Sequence, residues 1–294
     1  MNTTPTLPAD ADLRRVIDTA LAEDLRHGPD VTTTATVPED AWAVASLTPR
    51  VPGVLAGVGA ALEVFRTVGG PSVEVRSMAA DGSTLVAGEP ALVLTGPTRA
   101  LLTAERTALN LVTHLSGIAT LTRAWVDAVA GTGTRIRDTR KTLPGLRALE
   151  KRAVVAGGGV NHRMSLGDAA LIKDNHVVAA GSVGAAIAAV RALAPTVFLE
   201  VEVDTLEQLH EALGHAVPLV LLDNFSPADT ATAVRITRER APDTRLESSG
   251  GLTLDLARSY AETGVDFLAV GGLTHSAPSL DLGLDLTLDG PGTG

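Results

Sequence analysis

Cysteine is absent from this chain of 294 residues, which excludes disulfides, thiolate nucleophiles and cysteine-ligated zinc together. Aromatic residues are nearly as scarce, at 2%, and the net charge is -10. A chain with so few stacking platforms and so much negative charge is poorly suited to nucleic acid, and no such partner is expected. Apolar residues make up 45% of the chain, enough for a large core. None of their runs approaches the roughly 18–20 residues that span a bilayer as a helix, so no membrane partner is expected. Met1 to Asp12 lacks the basic start and apolar core of a secretory signal. These absences lead to the expectation of a soluble cytoplasmic protein. Lysine is the last scarcity, with three in the chain, and their location is informative.

All three lysines, and nine of the 24 basic residues, fall between Arg135 and Lys173. The stretch opens with Asp138-Thr139-Arg140-Lys141-Thr142-Leu143-Pro144-Gly145 and continues through Asn161-His162-Arg163 to Ile172-Lys173-Asp174-Asn175-His176. Its own acids, Asp138, Glu150 and Asp168, do not balance it. Cations held together repel unless an anion joins them, so the cluster predicts a pocket for a small ligand with several negative charges. The alternative is a solvated basic face, but these charges are interleaved with Gly, Asn and His at apparent turns instead of lining one helix.

The pattern changes along the chain. An amphipathic helix is expected from Leu13 to Leu25. Short apolar runs at Ala43–Leu47, Gly53–Ala56, Val73–Ala79 and Pro90–Thr95 read as an antiparallel sheet, with a helix from Gly57 to Val68 across it. A long helix is expected from Ala100 through Val129, interrupted near Ser116-Gly117. Past Gly131 strand candidates (Thr134–Arg137, Ala170–Lys173, Val197–Val203, Val217–Asp223, Arg245–Ser248, Val265–Val270) alternate with helix candidates such as Val183–Leu193, Leu206–Leu213, Pro227–Arg240 and Leu254–Thr263. Such alternation predicts a parallel sheet, either a barrel or a doubly wound open sheet. Polar residues gather at the carboxyl ends of the strands, which favours the barrel.

Alternation in Val197–Val203 puts Glu200 and Glu202 on one face and Leu199, Val201 and Val203 on the other. In a barrel both carboxylates point inward, where they need cations or a divalent metal. Glu202 and Asp223, the latter closing Val220-Leu221-Leu222-Asp223, form a candidate pair for Mg²⁺ or a ribose hydroxyl, or serve as ion-pair partners for nearby Arg or Lys. Two glycine-rich strand exits follow, Glu247-Ser248-Ser249-Gly250-Gly251 and Val270-Gly271-Gly272-Leu273-Thr274-His275-Ser276. Backbone amides at such turns suit a sugar phosphate. Gly157-Gly158-Gly159 matches neither phosphate-loop nor dinucleotide spacing and reads as a flexible loop letting His162 and Arg163 approach a ligand. His114, on an apolar helix, reads as a packed residue, and His162 as a hydrogen-bond donor to substrate. Lys173 is either a Schiff-base nucleophile or a fixed charge, and its cationic neighbours favour the charge.

Together with Glu105-Arg106-Thr107-Ala108-Leu109-Asn110, Glu200-Val201-Glu202-Val203 and Leu222-Asp223-Asn224, these blocks resemble quinolinate phosphoribosyltransferase, in order from Leu13 to Leu286. The resemblance implies an α/β fold with an N-terminal α/β sandwich and an incomplete seven-stranded (β/α) barrel. The implied division is 1–113 for the sandwich and 114–275 for the barrel. A C-terminal segment, 276–294, would return to the first domain, and the Gly/Pro content of its tail, Asp289–Gly294, predicts disorder.

The implied reaction joins quinolinate to 5-phosphoribosyl 1-pyrophosphate with loss of CO2, in de novo NAD synthesis. By the same resemblance Arg106, Thr139, Arg140, His162, Arg163 and Lys173 serve quinolinate. Lys141, Glu202 and Asp223 carry the chemistry. They also serve the phosphoribosyl substrate, with Ser249, Gly250, Gly251, Gly271, Gly272 and His275. Mg²⁺ would reach Glu202 and Asp223 directly or through water, with no organic cofactor. Gly272 stands where the family pattern leads one to expect Ala. A homodimer, or a multiple of one such as a hexamer, is implied, with Arg106 donated across the interface. Alternatives are a related enzyme with another acceptor, such as nicotinate or that of ModD-like relatives, an aldolase using Lys173, and a non-catalytic binding protein.

Overall fold

The computed structural model describes residues 9–288, so the disorder expected of Asp289–Gly294 lies outside the described residues. The chain begins with α1 (Ala9–Asp24), α2 (Val31–Thr36), β1 (Trp42–Pro49), β2 (Gly53–Val54) and α3 (Val58–Gly69). Next come β3 (Glu74–Met78), β4 (Thr84–Leu85), β5 (Leu92–Pro97) and the long α4 (Thr98–Ala128). They are followed by β6 (Arg135–Arg137), α5 (Arg147–Ala156), β7 (Ala169–Ile172), α6 (Asp174–Ala180), α7 (Val183–Leu193) and β8 (Phe198–Val203). The remainder is α8 (Leu206–Gly214), β9 (Leu219–Asp223), α9 (Pro227–Arg240), β10 (Arg245–Ser249), α10 (Leu254–Ala261), β11 (Phe267–Ala269), α11 (Gly272–His275) and β12 (Leu282–Leu288). No single helix among the described residues is long and apolar enough to cross a membrane.

The residues form two compact units. The first takes 9–121, 142–158 and 276–288. Its antiparallel sheet has the order β12-β1-β5-β3. Alternation in β1 buries Ala43, Ala45 and Leu47 completely, and α3 packs on β5 through a face that includes Ala61, Val64 and Phe65. Burial of such faces is the main force holding the unit together.

Two expectations change here. The Gly53–Ala56 segment does not join that sheet: β2 pairs with β4, and its place in the larger sheet is taken by β12, which runs against β1. The reason lies in where the amide protons go. Val54 N–H donates to Thr120 Oγ1 at 2.9 Å and Ala56 N–H to Ser116 Oγ at 3.0 Å, so those donors are spent on α4. Nor is α4 interrupted at Ser116-Gly117. Ser116 is fully buried as that acceptor. A β-carbon on Gly117 would lie 2.1 Å from the carbonyl oxygen of Pro278. The pair marks a close approach of two segments instead of a helix end.

The second unit takes 122–141 and 159–275. Six strands lie in the order β6-β11-β10-β9-β8-β7, and every pairing is parallel. A doubly wound sheet reverses its strand order at a switch point. Here the order never reverses, and the first strand sits beside the last, as in a (β/α) barrel. On its other side β6 makes one parallel bridge, Arg137 to Val160, which holds the place of a seventh strand. Helices follow the strands as the alternation predicted. The bounds of α7 and α9 match the expected ones, since Ser182 and Ser226 cap their N-termini and Pro227 begins α9.

Candidate active site

The carboxyl ends of the parallel strands bring together residues far apart in the chain. Asp138, just past β6, is fully buried and accepts the His162 N–H at 2.8 Å, tying the Arg140–Lys141 turn to the Asn161–Arg163 segment. Thr139 Oγ1 accepts the Lys141 N–H at 3.0 Å, and the Lys141 carbonyl accepts Thr274 Oγ1 at 2.8 Å. Gly271 stands against this turn, where an added β-carbon would meet Lys141 Cδ at 3.0 Å and His275 Nε2 at 3.2 Å. Around Gly272 a β-carbon would meet nothing within 4 Å, so the alanine expected there would be accommodated.

Lys173, at the start of α6, closes an ion pair with Glu202 of β8. Asp223 ends β9. Asn224 follows with φ 56°, a left-handed conformation that Asn tolerates better than most residues. Its side-chain amide donates to Asp223 Oδ2 at 2.8 Å and its N–H to Ser249 O at 2.9 Å. Gly250 has φ 85°, and a β-carbon there would lie 2.2 Å from Asn224 Oδ1. The β9 and β10 ends therefore meet at a point where only glycine fits.

The electrostatics agree with a site for anions that also carries its own acids. Burial, and then the nearby charge of Arg140, push the Arg163 guanidinium below its ordinary value. Burial and Asp204 hold the Asp223 carboxyl above its usual range, with Lys173 and Lys141 opposing and Asp174 adding to the rise. Deeper in the sheet Glu200 and Glu247 are both raised to about 7, first by burial. Arg137 is raised despite its burial, because Glu247 and Glu200 face it.

Two family models match the chain. The one described as "Quinolinate phosphoribosyl transferase, N-terminal domain" matches residues 30–116, and the one described as "Quinolinate phosphoribosyl transferase, C-terminal domain" matches 118–285. The chain belongs to the quinolinate phosphoribosyltransferase family. It is 59% identical over 274 residues to a Mycobacterium leprae protein named nicotinate-nucleotide pyrophosphorylase (carboxylating), covering 93% of this chain and 96% of the relative. The nicotinate-nucleotide pyrophosphorylase structure from Francisella tularensis superposes with a TM-score of 0.90 at 37% identity, over 96% of this chain and 98% of that one. The NadC structure from Streptococcus pyogenes gives 0.89 at 39%, over 94% and 96%.

Among the residues expected to serve this family's reaction, Lys141, Gly271 and His275 meet at one strand exit, and Asp223 and Gly250 at another. Lys173 and Glu202 pair directly. Thr139 shapes the turn, and Ser249 and Gly251 lie at the β10 exit. Arg106 is exposed on α4, in the first unit.

One reading is corrected. The nine cations are not one ligand pocket: Arg147, Lys151 and Arg152 lie on α5 in the first unit, and Arg137 and Lys173 have acidic partners within the protein. His162 is among the residues expected to serve quinolinate. It is buried, its Nδ1 accepts the Arg163 N–H at 2.7 Å, and its Nε2 lies 2.9 Å from Glu200 Oε2. His114 is held similarly, 2.9 Å from the buried carboxylate of Glu150.

Arg137 and Glu247 received no role from the sequence. A period-two reading of β10 would have placed Glu247 on the same face as Ser249, as it placed Glu200 with Glu202.

Proposed function

We infer that the chain catalyses decarboxylating phosphoribosyl transfer, in which quinolinate and 5-phosphoribosyl 1-pyrophosphate give nicotinate mononucleotide, pyrophosphate and CO2, in NAD synthesis. Membership of the family and 59% identity with a relative of that name support the reaction. The observation that carries it is the convergence of Arg140, Arg163, Lys141 and Lys173 with Glu202 and Asp223 at one end of a parallel sheet. A dianionic acceptor answers the repulsion between Arg140 and Arg163, whereas nicotinate, with one carboxylate, would leave part of that charge unmatched.

Arg140, Arg163 and Lys173 would hold the two carboxylates of quinolinate and aim its ring nitrogen at the ribose C1. As the nitrogen attacks and pyrophosphate leaves, positive charge builds on the sugar, and Glu202 and Asp223 are the carboxylates able to stabilise it. Lys141, His275 and the amides of Ser249, Gly250, Gly251, Gly271 and Gly272 would take up phosphate charge. The 2-carboxylate then departs as CO2, leaving its bonding electrons at the carbon beside the positive ring nitrogen, where a proton replaces it.

Mg²⁺ bound with the pyrophosphate would neutralise leaving-group charge. The chain fits this need: Asp223 is crowded by Asp204 and Asp174, and these are the hard oxygen donors that Mg²⁺ takes. No residue in the set calls for an organic cofactor. A homodimer or a multiple of one, with Arg106 reaching the neighbour's site, is supported by the exposure of Arg106 beside buried Thr107, Ala108 and Leu109.

The test is nicotinate mononucleotide formation from quinolinate with Mg²⁺, run beside nicotinate as competing acceptor. Product and CO2 from quinolinate alone are expected. Product from nicotinate alone would move the chain to a sister acceptor.

A further inference from the structure

The Arg140–Lys141 turn and the Gly271–Gly272 turn leave neighbouring parallel strands. The ladder between β6 and β11 ends at the pair Arg137 and Ala269, and Val270 N–H adds one bond to Arg137 O at 2.9 Å. Lys141 lies beyond that point and is exposed, so strand register does not set its distance from Gly271.

Two threonine hydroxyls hold the Lys141 backbone instead. Its N–H donates to Thr139 Oγ1 at 3.0 Å, and its carbonyl accepts the hydroxyl of Thr274 at 2.8 Å. Thr139 is two residues away and shapes only the turn. Thr274, on α11, is 133 residues away and 1% exposed. The same hydroxyl lies 3.2 Å from Gly271 O, the bond back to the preceding turn that threonine commonly makes in a helix. A hydroxyl has one proton to donate, and the shorter distance gives it to Lys141. The bond therefore ties one strand exit to the other.

The consequence lies in the side chains. A β-carbon on Gly271 would lie 3.0 Å from Lys141 Cδ and 3.2 Å from His275 Nε2. The lysine stem thus runs close against the Gly271 backbone, with the imidazole at the same spot. Contacts this close tolerate little sliding of one segment past the other. The buried bond from Thr274 opposes that sliding, and without it the Lys141 carbonyl must turn to find another donor.

We propose that Thr274 is a positioning residue for the sugar pyrophosphate: its hydroxyl sets Lys141 against Gly271 and His275, so that ammonium, imidazole and backbone amides converge on the same phosphate charge. The hydroxyl acts through Lys141. The proposal rests on the phosphoribosyl transfer inferred above.

The test is steady-state kinetics of the full-length protein with each substrate varied. Thr274→Val keeps the shape of the side chain and removes the donor. The KM for the sugar pyrophosphate is expected to rise on the order of tenfold, with the KM for quinolinate changed less than about twofold. Thr274→Ser keeps the hydroxyl and should recover most of the loss. In a Lys141→Met background, adding Thr274→Val should change the KM for the sugar pyrophosphate by less than about twofold, because the charge it positions is already gone.

Equal rises in both KM values, a fall in kcat alone that follows the folded fraction, or full additivity with Lys141→Met would overturn the proposal. If Thr274→Val does not fold, Thr274→Ser against Thr274→Ala decides: both lose the methyl and only the first keeps the hydroxyl, so equal KM values for the sugar pyrophosphate would refute the positioning role. Turnover with another acceptor removes the quinolinate reading alone, and the KM split is then read with that acceptor. If the wild type turns over no acceptor, the inferred transfer falls, and calorimetric affinity for Mg²⁺ pyrophosphate decides this proposal by itself. A loss on the order of tenfold in Thr274→Val that Thr274→Ser restores would uphold it, and equal affinities would overturn it.

Discussion

Lys173 reaches from the end of β7 to the carboxylate of Glu202 on the adjacent strand β8. An amine held in an ion pair is a fixed charge and not a free nucleophile, which separates the phosphoribosyl reading from a Schiff-base aldolase. Borohydride added during turnover should leave the protein's mass unchanged. Lys173→Met should lower kcat/KM for quinolinate by about 10²-fold or more, since a charge-assisted contact to a buried anion is lost. A trapped adduct on Lys173 in the mass spectrum would restore the aldolase.

Gly250 lies where β9 and β10 release their chains. Its left-handed φ of 85° and the 2.2 Å approach to Asn224 Oδ1 predict that Gly250→Ala costs about 1–3 kcal/mol of local strain. The strain falls on Asp223 and Asn224, so the KM for the sugar pyrophosphate should rise more than that for quinolinate. Unchanged kinetics in Gly250→Ala would remove this turn from the phosphate site.

Glu247 faces Arg137, His162 and Glu200 within the barrel, and burial, then the charge of Glu200, raises its carboxyl from the ordinary 4.5 to about 7. Because the folded state holds this proton more tightly than the unfolded chain, the contribution to stability is full below about pH 4.5 and is lost as pH rises through about 7. Urea midpoints of the wild type should therefore decline over that window more steeply than those of Glu247→Gln. Parallel curves would show that Glu247 does not titrate there.

Arg106 offers a test of assembly. Arg106→Ala and Lys141→Ala, each inactive alone, should regain about a quarter of wild-type activity when unfolded together and refolded at equal concentrations, because half of the dimers would be mixed and each mixed dimer would contain one intact site. Should Arg106 act within its own subunit, every mixed site lacks one group and no activity returns. Alone, Arg106→Ala should weaken quinolinate binding far more than that of the sugar pyrophosphate.

Local rules made much of this protein legible. The alternation past Gly131 announced the parallel sheet, and the caps Ser182 and Ser226 with Pro227 marked where α7 and α9 start, since caps and periodicity act within one turn of helix or one strand. The Arg140-Lys141, Glu202 and Ser249-Gly250-Gly251 blocks were visible as a site because phosphate and carboxylate chemistry demands those residue types close to strand ends. The alternating leucines of Leu282–Leu288 were equally open to view as a strand, but their partner β1 lies more than 230 residues earlier, as the Arg50–Asp285 pair shows with its separation of 235.

Tertiary structure alone decided which charge meets which. Arg137 and Glu247 are 110 residues apart and Lys173 and Glu202 are 29 apart, and only the order of strands around the sheet makes them neighbours. The same holds for Ser116-Gly117, which by composition reads as a helix break and in space is the contact that lets α4 lie against Pro278. Sequence by itself determined the kinds of groups at the site, because chemistry is carried by side chains. Whether His162 faces the ligand or the core depends on pairings across the barrel, and no local pattern encodes them.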